Sequence, residues 1–72
     1  MKPDDVVTEN TAAHAAGMTA ASLEFLKTNL EALMKLQAYL QANKLGGGRE
    51  VALSITNLQQ SIFWLTEAKI KI

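Results

Sequence analysis

Three consecutive glycines, Gly46-Gly47-Gly48, separate two stretches whose apolar residues recur at helical spacing. That arrangement leaves the chain very few folds to choose from. Before the glycines, Leu23, Leu26, Leu30, Leu33, Leu36 and Leu40 fall mostly three and four apart, and Met34 and Tyr39 widen the stripe. This is the pattern of an amphipathic helix. After them, Val51, Ile55, Leu58, Ile62 and Leu65 are spaced four, three, four, three. Their period is close to the ~3.5 residues of a coiled-coil seam. The reading is all-α: a long antiparallel helical hairpin closed by a short glycine turn.

Local signals set the expected boundaries. Nothing breaks a helix between Thr19 and Lys44, and Thr19 or Ser22 can cap its start. Asn43, Lys44 and then glycine form a stop. This predicts a helix over 19–44, a Gly turn over 45–48 and a second helix over 49–71. Upstream, the alanine-rich stretch from Thr8 to Ala16 ends at Gly17, where a left-handed residue would close a helix. A short helix over 8–16 is expected, docked to the rest because so short a helix is marginal alone. Residues 1–7, with Pro3, Asp4 and Asp5, read as a disordered tip. Residues 8–72 then make one helical-hairpin domain.

A chain of 72 residues buries too little surface to be comfortable as a monomer, and such chains lean on disulfides, metals or oligomerisation. There is no cysteine, and the single histidine, His14, makes a metal site an unpromising source of stability. Oligomerisation remains. The second helix carries a surface for it: Ser54, Ser61 and Ala68 fall seven apart beside the main seam, where small residues let another helix approach. Phe63 and Trp64 lie outside the Leu58/Ile62/Leu65 seam, and a lone hairpin cannot bury them as well. These five residues are the expected oligomer interface, and a dimeric four-helix bundle is the plainest form it could take.

Catalytic chemistry is hard to build. Asp4 and Asp5 are adjacent at one end, the glutamates are spread along solvent-facing stretches, and Ser54 and Ser61 have no histidine on their own element. Neither an enzyme nor a cofactor is expected. Gly46-Gly47-Gly48-Arg49-Glu50 is not a Walker motif, because neither Lys-Ser/Thr nor a preceding strand is present. Glycines opening a helix nevertheless expose N–H groups at a positive dipole end. Arg49, the only arginine, stands there against the dipole. Such a local conflict sometimes marks function, although a solvated arginine after a turn explains it as well. Formal net charge is zero, too mild for duplex nucleic acid. No apolar run reaches the ~18 residues of a membrane span, and residues 1–20 lack the apolar core of a signal peptide.

One stretch carries a family pattern. Arg49 is followed by Glu50; Thr56 comes seven residues on, Leu58 two later, Ser61 three after that, then Trp64 and Ala68. The stretch from Arg49 to Ala68 resembles, without a gap, the last helix of the phage helical-hairpin nucleotide sponges, the anti-CBASS and anti-Thoeris proteins that share one hairpin domain. The resemblance implies a non-enzymatic phage protein acting in the cytoplasm of the infected bacterial host. It implies a homo-oligomer, typically a hexamer, that traps cyclic oligonucleotide signals at subunit interfaces. Arg49 and Thr56 carry over as ligand contacts, arginine to phosphate and threonine to phosphate or base. Many members also have an N-terminal tyrosine that stacks on a base, and a lysine on the first long helix. This chain has no aromatic residue in its N-terminal region; Lys27, with Asn29 beyond it, falls near the place of that lysine. The competing reading is a structural or protein-binding hairpin with no small-molecule ligand.

Overall fold

The computed structural model describes the backbone of residues 3–72 and the side chains of residues 11–72. Two helices, α1 (Pro3–Ala42) and α2 (Gly48–Lys71), pack together as a hairpin, and the described residues contain no strand. The molecule measures 64 × 15 × 13 Å. Its length is that of α1, whose 40 residues span ~60 Å at ~1.5 Å each. The 24 residues of α2 reach only ~36 Å. The second helix therefore covers α1 from Ala42 back to about Thr19, and the N-terminal part of α1 runs on past its end.

This corrects the expected N-terminal organisation. There is no separate helix over 8–16, because α1 passes through Gly17 without a break. Gly17 does not take the left-handed conformation that a stop requires. One glycine inside a helix costs only ~1 kcal/mol relative to alanine, and the alanines around it are the strongest helix formers. Of the tip over 1–7, residues 1–2 lie outside the described residues and 3–7 belong to α1. Proline suits a helix start, since its missing N–H is one that finds no partner in the first turn.

Thr19, Leu23, Leu26, Leu30, Leu33, Gln37 and Leu40 of α1 are buried or half-buried at alternating four- and three-residue steps. Val51, Ile55, Leu58, Ile62 and Leu65 are the half-buried line on α2. Leu23, at 6% exposure, is the only buried hydrophobic residue among the described side chains; beside it Thr19 donates its hydroxyl to the Ala15 carbonyl at 2.7 Å. The expected stripe differs at one step. Seven residues on from Leu30, the seam takes Gln37, and Leu36 turns outward with Met34 and Tyr39. The Gln37 Oε1 is buried without a hydrogen-bond partner.

The turn closes at Lys44 rather than at a glycine. Lys44 adopts φ 54°, the Leu45 N–H donates to the Leu40 carbonyl at 2.9 Å, and the Lys44 N–H donates to the Gln41 carbonyl at 3.3 Å. These are the two bonds of a Schellman cap. Gly47 then supplies φ 93° to redirect the chain into α2, where its carbonyl accepts from the Val51 N–H at 3.0 Å. Positive φ at this point is why a glycine is needed.

Candidate functional site

The sequence-selected ligand residues divide between two sides of the hairpin. Arg49 and Thr56, seven residues apart on α2, share one face about 10 Å apart along the axis. Phe63 continues the line after another seven. Arg49 is exposed and makes no ion pair or side-chain hydrogen bond among the described residues. Thr56 is exposed as well, but its Oγ1 donates to the Ala52 carbonyl at 3.1 Å. In this rotamer the hydroxyl offers a ligand its lone pairs rather than its proton.

Lys27 does not join them. Its Nζ lies 4.0 Å from a Glu24 carboxylate oxygen in a solvent-exposed pair on α1. Such a pair holds a side chain only weakly. In the antiparallel register Leu33 and Leu58 line one groove. That register puts Lys27 and Arg49 about 23 Å apart along the hairpin. One protomer therefore cannot bring both cations to one phosphate.

Asn29 belongs to that groove. Ala32, Leu33 and Leu36 of α1 and Leu58 of α2 form its apolar floor and wall, and Asn29, Ser54 and Asn57 its polar edge. It is open and holds about 540 Å³. No charged side chain lines it. Ser54 spends its hydroxyl proton on the Glu50 carbonyl at 3.0 Å, and Ser61 on that of Asn57 at 3.1 Å. Two carboxamides are left along an apolar trough.

Of the residues expected at the oligomer interface, Ser54, Ser61, Phe63 and Trp64 are exposed and Ala68 is half-buried. Trp64 is 68% exposed, and its ring meets Phe63 edge-on at 5.1 Å between centroids. The two aromatics point to different neighbours: Trp64 follows Asn57 by seven residues, whereas Phe63 follows Thr56. Sequence reasoning missed a matching line on α1. Phe25, Asn29, Ala32, Leu36 and Tyr39 step four, three, four, three along one face, and Phe25 is 69% exposed. The spacing was a readable signal, masked by the stronger leucine stripe beside it.

The described residues include no cluster of three or more potential metal-ligating side chains, and no helix among them is long and apolar enough to cross a membrane. Comparison of the chain with family models, curated proteins and solved structures finds no match.

Proposed function

We propose that this chain is a self-assembling helical hairpin that binds cyclic di- or trinucleotide immune signals and holds them without cleaving them. It would act as a phage anti-defence sponge against CBASS or Thoeris-type immunity, in the cytoplasm of the infected bacterial host. The observation that carries the reading is the exposed line of Arg49, Thr56 and Phe63 on α2. It offers a cation without a protein partner, an oxygen and an aromatic ring, each two helical turns from the next, on the helix whose sequence resembles the sponge motif. A ligand spanning Arg49 and Thr56 must be larger than one nucleotide, which suits a cyclic oligonucleotide. Lys27 lies about 23 Å from Arg49 along the hairpin, so a second copy would be needed to bring Lys27 to the ligand that Arg49 holds. A homo-oligomer, with a hexamer as in the family, fits the large apolar side chains left outside the hairpin seam.

The test is a thermal-shift and calorimetric panel of cyclic di- and trinucleotides. A ligand at 100 times its Kd adds about 2.7 kcal/mol per site. Arg49→Ala should weaken binding by about 1.5–3 kcal/mol, the range for hydrogen bonds to charged groups. Arg49→Lys should recover only part of it, because an ammonium cannot make the bidentate contact. No shift with any member of the panel would sink the sponge reading. The protein-binding hairpin would then take its place, favoured by the uncharged groove beside Asn29, which fits an apolar helix better than a phosphate.

A further inference from the structure

The groove and its flanks form a face with its own internal logic. On α1 that face carries Ser22, Phe25, Asn29, Ala32, Leu36 and Tyr39; on α2 it carries Glu50, Ser54, Asn57, Ser61, Trp64 and Ala68, ending at Lys71. On α1 the bulky Phe25, Leu36 and Tyr39 flank Asn29 and Ala32; on α2 Trp64 stands among small and amide side chains.

We propose that a second copy of this chain covers this face about a twofold axis, α1 lying antiparallel to the second copy's α1 and α2 antiparallel to its α2, with Ser61 on the axis. The proposal gives the self-assembly in the reading above a face and a register, and it holds with or without a nucleotide ligand. Each helix indicates the same axis independently. On α1, matching bulk to space sets Tyr39 against Ser22 and leaves the apolar Phe25 and Leu36 facing each other, which centres the pairing between Leu30 and Glu31. On α2, opposite charge sets Glu50 against Lys71, and small residues set Ser54 against Ala68; that pairing centres at Ser61. Leu33 and Leu58 share the groove. Three residues further toward the open end of the hairpin, Leu30 and Ser61 are therefore level. The two centres coincide, as one rigid hairpin meeting its copy requires. In this arrangement Trp64 enters the groove beside the second copy's Asn57, and the Ser61 pair sits where the two α2 helices come closest. Arg49 and Thr56 lie on another face of α2 and stay uncovered.

The chain has no cysteine, so a single introduced thiol reports on one position. Ser61→Cys should form a disulfide-linked dimer under mild oxidation, at least tenfold faster than Gln59→Cys on the far side of α2. Disulfide geometry demands close Cα atoms, so the reaction reads proximity. Glu50→Lys and Lys71→Glu should each raise the dimer dissociation constant at least tenfold by sedimentation equilibrium, and the double exchange should restore it to within threefold. Both residues are exposed near the ends of α2, where each complements the helix dipole only weakly, so the variants should keep the hairpin's helix content by circular dichroism. Cross-linking of Gln59→Cys as fast as Ser61→Cys, or a double exchange that stays as weak as the singles, overturns the axis. All of this is measured without nucleotide, so failure of the ligand reading and failure of this one remain distinguishable.

Discussion

The two halves of α1 are equally helical and differently employed. From Thr19 to Ala42 the helix carries leucines at seam spacing and packs along α2. From Thr11 to Met18 half of the residues are alanine, and this part runs beyond the end of α2. The difference separates two requirements that are easily conflated. Being a helix needs only local propensity, which alanine supplies best. Pairing helices needs apolar bulk at a constant side, which alanine cannot give. Gly17 sits between the halves and is tolerated because nothing there depends on close packing: a Cβ at that position would meet no atom within 4 Å.

Substitutions can break or sharpen this contrast. The largest effect should come from Leu23→Ala, which empties the most buried apolar position and should cost about 2–5 kcal/mol in urea unfolding. Met18→Ala, five residues earlier and 59% exposed, should change stability by less than ~0.5 kcal/mol in the same assay. Equal losses at the two positions would erase the distinction between the halves. Gln37→Leu should stabilise the hairpin by about 1–3 kcal/mol, because it removes a buried oxygen without a partner from the seam. It should also loosen register, since a single polar seam residue specifies alignment at a cost in stability. Broadened amide resonances in the variant, despite a higher Tm, would show that trade. Gly17→Ala should add about 1 kcal/mol of local helix stability, read as slower hydrogen exchange from Thr11 to Met18. Slower exchange confined to the seam half would contradict it.

How much of this was legible follows the same division. Two helices and their turn could be read because the leucine and isoleucine spacing is itself the packing code. The stop at Gly17 was misjudged because glycine marks a helix end only when something forces φ positive, and nothing does so there. Lys44 shows the converse, a left-handed residue with no glycine to announce it. At the seam, leucine at 36 outranked glutamine at 37 on hydrophobicity, but the ~3.5-residue phase set by Leu30 and Leu33 decides which one faces α2. For the site, Arg49 and Thr56 could be placed on one face from their spacing alone. The separation of Lys27 from Asn29 is readable in the same way, since residues two apart do not share a helix face; which flank of the seam carries the groove is not. The groove edge at Asn57 needed both helices in register before it existed at all.

The unequal helices also govern how the molecule moves through solution. Its radius of gyration is 17.8 Å. A compact chain of this length would have about 11 Å, and 17.8 Å belongs to a compact protein of roughly 245 residues. A single copy thus has the reach of a globule of more than three times its length. Its rotational diffusion is strongly anisotropic, slow end over end and fast about the long axis. An elution volume calibrated on globular standards would overestimate the mass of one rod. Conversely, copies that packed side by side would add mass with little added length. For this chain the number of subunits must come from a measurement of mass, such as light scattering, and not from one of size.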